Sequence, residues 1–311
     1  MVELVDEVQW TAARMAAQVV RYGDLKPCFN AFIDCRTPGS EAKENFTIIG
    51  PGVSENPAQH VHIAEPHGFN IGGARQPPHC VNSQHSHDTA EVFVVHSGHW
   101  RFDLGEHGED ARVELHPGDV ISLPTQTFRG FTNIGAAPGF LWAVLGQDNP
   151  GRVTWAPQVF EMARDYGLVL LESGRLVDTT AGETVPPEAR PMQPTSAEAA
   201  ARLQRLDPTA GERLVVRAGA TSAPVIGADA PLDWPHGFTL DRLVIAAGET
   251  AAPERDSVVE VVFVDRGALR IEWDGGTLEL GPGDTMTVPA IDRRFTSAGG
   301  ATAFVVHSAA M

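Results

Sequence analysis

The residues of this chain best suited to chemistry lie in one short segment, Gln84-His85-Ser86-His87-Asp88-Thr89-Ala90-Glu91. On a β-strand, side chains at positions i and i+2 share a face, so His85 and His87 point the same way, and Glu91 has the same parity. Two imidazoles and one carboxylate aimed at one point resemble the facial triad that holds ferrous iron and leaves coordination positions open. The spacing therefore predicts a metal site on His85, His87 and Glu91.

The composition limits the partners of this chain. Its 311 residues carry a formal net charge of −17, which argues against nucleic acid and anionic membranes but allows a small anionic substrate. The three cysteines, Cys28, Cys35 and Cys80, form no CxxC spacing, and no apolar run approaches the roughly 20 residues that span a bilayer. The first residues lack the basic and apolar regions of a signal peptide. We therefore expect a cytoplasmic protein whose partner is a small molecule.

The elements that position this segment belong to an internal repeat. Pro66-His67-Gly68-Phe69 recurs as Pro235-His236-Gly237-Phe238, and the same offset of 169 carries Glu91 onto Glu260. At an offset of 165, the turn Pro117-Gly118-Asp119 in the first copy matches the turn Pro282-Gly283-Asp284 in the second. The missing residues fall in a hairpin, which is a long loop in the first copy and a tight turn in the second. Each copy consists of short alternating strands, a pattern typical of a small sandwich or barrel.

Other segments connect or flank the two copies. Apolar spacing predicts helices over residues 3–21 and 156–166, and the capping-box spacing of Thr195-Ser196-Ala197-Glu198 predicts a third up to about residue 205. We divide the chain into four parts. They are an N-terminal helix and arm (1–56), a first barrel with the histidine motif (57–150), a helical and proline-rich linker (151–210), and a degenerate, metal-free second barrel (211–311).

With these motifs the chain resembles the two-domain bicupins of the cupin superfamily. The first family motif is matched by His85, His87, Glu91 and Gly98, while His79 stands in place of its first glycine. The second motif is matched by Pro124 and Asn133, but Gln126 replaces its glycine and Arg129 replaces its metal-binding histidine. The resemblance implies an all-β fold of two tandem cupin barrels (double-stranded β-helices, or jelly rolls) with short flanking and linking helices. It also implies a homodimer, as in other family members.

The arginine in place of the histidine leaves the role of Glu91 open. Copy two has Glu254 and Asp256 at the histidine positions, and the offset of 165 places Arg294 opposite Arg129. Both copies therefore keep a glutamate and an arginine, so a buried Glu91–Arg129 ion pair is an alternative to ligation by Glu91.

Three other positions complete the predicted site. If Arg129 binds Glu91, His79 is the best candidate for an extra ligand. Arg129 is either structural or binds a substrate carboxylate. Phe93 shares the parity of Glu91, so it either packs in the core or forms an apolar wall for a substrate. Gln126 is likewise either structural or substrate-binding.

The resemblance implies three functions. The first is an Fe(II) dioxygenase-like oxidoreductase of the gentisate or hydroxynaphthoate type, which acts on a small carboxylic acid such as a hydroxylated aromatic acid. The second is a non-oxidative isomerase or lyase that uses Mn, Ni or Zn as a Lewis acid. The third is a ligand-binding bicupin without catalysis, in which the Glu–Arg pair is structural.

Overall fold

The computed structural model describes residues 9–253 and 260–308 of the chain. These residues form two compact units. The site unit, which contains the histidine motif, comprises residues 25–219 and 225–238. The companion unit comprises the described residues within 1–24, 220–224 and 239–311. The four-part division of the chain stays a prediction, and residues 151–210 lie within the site unit.

The described residues are mostly strands. The strands are β1 (Val19–Val20), β2 (Glu44–Ile49), β3 (Val61–Ile63), β4 (Phe69–Gln76), β5 (Val81–His87), β6 (Glu91–Ser97), β7 (Trp100–Leu104), β8 (Ala111–Leu115), β9 (Val120–Leu123), β10 (Arg129–Asn133), β11 (Gly139–Gly146), β12 (Val153–Trp155), β13 (Leu168–Leu170), β14 (Leu176–Asp178), β15 (Val215–Val216), β16 (Ala223–Ile226), β17 (Phe238–Ile245), β18 (Thr250–Ala251), β19 (Glu260–Gly267), β20 (Leu269–Trp273), β21 (Gly276–Leu280), β22 (Thr285–Val288), β23 (Arg293–Thr296) and β24 (Ala301–Ser308). The helices are α1 (Ala12–Ala16), α2 (Pro157–Asp165), α3 (Ala197–Ala200) and α4 (Ala210–Arg213), with 3₁₀ turns at Tyr22–Asp24 and Thr179–Ala181.

Two facing sheets build the site unit. One has the strand order β12-β5-β10-β7-β8, and the other has the order β15-β9-β6-β11-β4-β2-β3. Alternation along β7 buries Trp100, Phe102 and Leu104, as the sequence predicts, and these side chains join a core with residues of β6 and β10 such as Phe93 and Phe131. The apolar faces of both sheets therefore meet inside one barrel.

The companion unit repeats this plan. Its sheets have the orders β1-β22-β19-β24-β17-β16 and β18-β23-β20-β21. The predicted tight turn is present, because Trp273 pairs with Gly276 across the β20–β21 hairpin. The predicted proline–glycine turns are also present, and both glycines adopt left-handed backbone, with φ of 90° at Gly118 and 86° at Gly283.

Two predicted helices are wrong in extent. Residues 3–8 of the first lie outside the described residues, and the helical part of the rest is only α1. The chain then turns into β1, where Val19 pairs with Met286, because β-branched residues gain more from a sheet edge than from a further helical turn. In α3 the N-cap is Ser196, whose hydroxyl accepts from the Ala199 amide, and the helix ends at Ala200. The helix predicted over 156–166 is confirmed as α2. None of the helices among the described residues is long and apolar enough to cross a membrane.

The predicted pairing of Glu260 with Arg294 is also wrong. Arg293 donates to Glu260 through Nε and Nη2, whereas the Arg294 side chain is 65% exposed and lies near Glu272 on the surface. The loop before β23 is one residue shorter than its counterpart before β10, so the offset from Arg129 is 164 rather than 165. A one-residue slip moves every side chain of a strand to the opposite face, and this slip exchanged the buried and exposed arginines.

Candidate metal site

The register of the strands brings the predicted ligands together. His85 and His87 lie on the same face of β5, where β10 pairs Arg129 with His85 on one side and β12 pairs Trp155 with His85 on the other. Glu91 comes from the facing sheet, at the start of β6. Each of His85, His87 and Glu91 offers one ligand atom, and these atoms lie within 4.8 Å of one another. All three side chains are buried.

The hydrogen bonds of His85 leave one ring nitrogen available. Its Nδ1 lies 2.7 Å from the Ser83 carbonyl oxygen, which can only accept, so Nδ1 carries the proton and Nε2 keeps its lone pair. A ligating histidine is commonly oriented by such a bond from its other nitrogen. Nδ1 of His87 is buried without a hydrogen-bond partner among the described residues, so His87 is held by packing and by its strand. The rings of His85 and His87 are perpendicular, with centroids 5.0 Å apart.

Glu91 uses its two carboxylate oxygens for different contacts. Arg129 donates to Oε2 from Nε at 3.2 Å and from Nη2 at 2.8 Å, and its Nη1 donates to the Thr127 carbonyl at 3.1 Å. Oε1 instead faces His87, 3.5 Å from Nε2. The two roles that the sequence leaves open for Glu91 are therefore compatible, because the ion pair and the histidine face use separate oxygens.

Burial keeps both imidazoles neutral. Desolvation, with a further contribution from the Arg129 guanidinium, lowers the pKa of His85 and of His87 well below the usual 6.5. Burial raises the pKa of the Glu91 carboxyl, and the charge and hydrogen bonds of Arg129 oppose that rise. The site thus presents two neutral ring nitrogens and one arginine-paired carboxylate, a donor set suited to a divalent metal ion.

The distances also fit a metal ion. Ligand bonds of about 2.0–2.2 Å to one ion place neighbouring ligand atoms roughly 3 Å apart. The 3.5 Å between His87 Nε2 and Glu91 Oε1 is close to that value. The free Nε2 of His85 and the unshared Oε1 of Glu91 need no rearrangement of their other hydrogen bonds to accept an ion.

A mainly apolar cavity of about 80 Å³ adjoins the three residues. Phe93 lines it, as one of the two alternatives for this residue requires, and so do Phe32, Phe46, Phe131 and Trp155. The Trp155 ring centroid lies 5.3 Å from that of His85. Arg129 does not line the cavity and is fully buried, with its guanidinium bound to Glu91 and Thr127.

A buried network supports the strand segment before His85. Lys43 and Asp34 form an ion pair whose side chains are both completely buried. Lys43 Nζ also donates to Asn82 Oδ1 at 3.0 Å, and Asp34 Oδ2 accepts from the Ser83 amide at 3.0 Å. Since the Ser83 carbonyl orients His85, this ion pair fixes the backbone that sets the imidazole.

A second buried carboxyl group holds the tryptophan beside His85. Glu55 accepts from Trp155 Nε1 at 2.6 Å and from the Ile33 amide at 2.7 Å. Burial raises the pKa of Glu55 to about 8. Sequence reasoning missed Asp34, Lys43, Glu55 and Trp155, because they lie far from the histidine motif in the chain and no local spacing connects them to it.

His79 and Gln126, the other two predicted positions, lie outside the cluster. Both side chains are exposed. Both residues stand where the motifs have glycine, and both adopt left-handed backbone, with φ of 64° at His79 and 56° at Gln126. The turn geometry therefore persists without glycine, at a conformational cost for an L-residue. The Gln126 amide donates to the His87 carbonyl at 3.1 Å, so the Gln126 backbone braces the site.

Comparisons with known proteins agree with this architecture. Residues 74–144 match the family described as Cupin domain. Germin-like protein subfamily 1 member 10 of Arabidopsis thaliana is 36% identical over 83 residues, which are 25% of this chain and 37% of that protein. The match therefore spans little more than a third of that relative's length.

Two solved structures are similar to this chain. Bacterial pirin YhhW of Escherichia coli, solved in complex with nickel(II), is 8% identical, with a TM-score of 0.54 over 94% of this chain and 99% of that one. Salicylate 1,2-dioxygenase of Pseudoaminobacter salicylatoxidans, solved as adducts with gentisate, is 15% identical, with a TM-score of 0.47 over 78% of this chain and 68% of that one. The pirin likeness confirms the predicted fold of tandem β-barrels, and neither likeness carries information about activity.

Proposed function

From the cupin domain that residues 74–144 form, we propose that this protein is a metal-dependent bicupin that holds a divalent cation on His85, His87 and Glu91. The observation that carries the proposal is the convergence of three buried ligand atoms within 4.8 Å at the edge of a mainly apolar cavity. Fe(II) is the favoured ion, because a site with two histidines and one carboxylate leaves positions open. Mn, Ni and Zn are the alternatives.

The proposed reaction is a dioxygenase-like oxidation of a small molecule. A bound Fe(II) would supply a centre where a chelating substrate and dioxygen meet. The chain's own residues would orient the ligands and surround the substrate. Ser83 orients the ligand ring of His85, Arg129 fixes Oε2 of Glu91 and opposes the rise of the Glu91 pKa that burial causes, and the aromatic walls line the cavity.

Metal content and oxygen uptake test this proposal. Protein produced with iron and purified anaerobically without chelator is expected to contain about one ion per chain, and its elemental analysis identifies the metal. His85→Ala and His87→Ala are expected to lose most of this metal, since each removes one of three ligands. His107→Ala is the matched control, because the His107 side chain is 65% exposed and lies in a surface loop. Full metal content in His85→Ala would remove the basis of the proposal.

One observation favours a second candidate function, ligand binding without catalysis. The Glu91–Arg129 pair is repeated in the companion unit as Glu260–Arg293, although Glu254 and Asp256 replace the histidines there. Those two residues lie outside the described residues. A pair that both copies retain has a structural role independent of metal. Stoichiometric metal without oxygen uptake on any chelating substrate would favour this candidate, or a non-oxidative isomerase or lyase.

A homodimer and a cytoplasmic location remain part of the proposal.

A further inference from the structure

The cavity beside the cluster indicates what kind of substrate the site accepts. We infer that, given the proposed metal site, the substrate is a neutral planar molecule. Oxygen atoms at one end of it bind the metal, and its flat apolar remainder carries one hydrogen-bond acceptor. This inference rests on the proposed function and names its substrate class.

The first observation is that the buried cationic side chains near the site are already paired with protein groups. Arg129 is fully buried and donates to Glu91 and to the Thr127 carbonyl. Lys43 is equally buried and binds Asp34 and Asn82. None of the described residues that line the cavity is a lysine or an arginine. A substrate carboxylate away from the metal would therefore be buried without a counter-charge, which is strongly unfavourable.

The second observation is the shape of the walls. Phe32, Phe46, Phe93, Phe131 and Trp155 contribute rings to the lining, with aliphatic side chains between them. Phe93 and Phe131 lie nearly edge to face at 5.3 Å, and Trp155 is fixed by its bond to Glu55. Rigid aromatic surfaces favour a flat ligand, because stacked and edge-on contacts need little rearrangement of either partner.

The third observation is an unused donor in the lining. Asn45 lies on β2 and lines the cavity, and its Nδ2 is buried with no hydrogen-bond partner among the residues that the structure describes. The neighbouring polar lining residues Asn70 and Asn82 already donate to or accept from protein groups. A buried donor without a partner is unfavourable, so a carbonyl or hydroxyl oxygen of the ligand that accepts from Asn45 would strengthen binding.

Two matched probes test the inference on Zn²⁺-loaded protein, in which the metal is redox-inert. They are 3,4-dihydroxyacetophenone, which is neutral and carries a carbonyl, and 3,4-dihydroxybenzoate, which is charged at the same ring position. Isothermal titration is expected to show at least tenfold tighter binding of the ketone. Asn45→Leu is expected to weaken ketone binding about tenfold at unchanged metal content. Val53→Lys, which places a cation on the cavity wall, is expected to shift the ratio towards the benzoate.

The ratio of ketone affinity to benzoate affinity is compared between each variant and the parent protein. This comparison cancels any difference in how strongly the two free probes chelate zinc. Equal affinity for the two probes, tighter binding of the benzoate, or no binding of either to fully loaded protein would overturn the substrate class. Substoichiometric zinc in the parent protein would instead contradict the metal site itself, so the two failures are distinguishable.

Discussion

Replacing Arg129 with methionine separates the structural role of the Glu91–Arg129 pair from its role beside a metal. Arg129 is fully buried, and the Glu91 side chain is 7% exposed. Without metal, Arg129→Met leaves a buried carboxylate uncompensated, and the removal of one partner from such a pair typically costs about 3–5 kcal/mol. The Thr127 carbonyl also loses its donor, and this loss accounts for about 1–3 kcal/mol of the total.

A bound divalent cation should reduce this loss. It would compensate the charge of Glu91, so only the cost at the Thr127 carbonyl would remain. If metal reduces the loss by about 2 kcal/mol, linkage requires that Arg129→Met binds metal roughly 30-fold more tightly than the parent protein. Urea unfolding with Zn²⁺ or with chelator, followed by tryptophan fluorescence, measures the first quantity, and a competition titration measures the second.

The companion unit supplies the matched controls. Arg293→Met breaks the equivalent pair with Glu260 and should cost a similar 3–5 kcal/mol whether or not metal is present. Arg294→Met should change stability by less than about 0.5 kcal/mol, because its side chain is 65% exposed. An equal loss for Arg129→Met with and without metal would refute the reasoning that Glu91 serves both partners.

Three further predictions concern residues around the cluster. Burial raises the pKa of Glu55 from 4.5 to about 8, so the folded state holds a proton that the unfolded state releases, and stability should fall as pH rises from about 4.5 to 8. Glu55→Gln should flatten this slope of up to about 1.4 kcal/mol per pH unit, measured by urea unfolding at several pH values. Lys43→Met should cost about 3–5 kcal/mol and weaken metal binding, because Asp34 loses its partner and the backbone before His85 loses its support; unchanged metal affinity would contradict that support. His79→Gly should keep the metal content and change the unfolding free energy by between 0 and about +1 kcal/mol, since it relieves a left-handed residue; loss of metal would instead restore His79 as a ligand.

The predicted ligand set came from local information alone. Alternation along a strand has a period of two, so the spacing of His85 and His87 was enough to place both imidazoles on one face of β5. Glu91 joins them from the start of β6 in the facing sheet, and the strand period does not extend across residues 88–90 between the two strands. The internal repeat likewise showed two related barrels, because strand patterns and turn residues recur with the fold.

The sequence alone could not determine register and long-range contact. A single missing residue before β23 exchanged the roles of Arg293 and Arg294, and no pattern in the repeat fixed where that gap falls. The bond from Trp155 to Glu55 joins residues 100 positions apart, and the Lys43–Asp34 pair supports His85 from outside the barrel motif. Such contacts depend on how the chain returns to one place in space, so only the tertiary structure decided which oxygen of Glu91 faces Arg129 and which remains free.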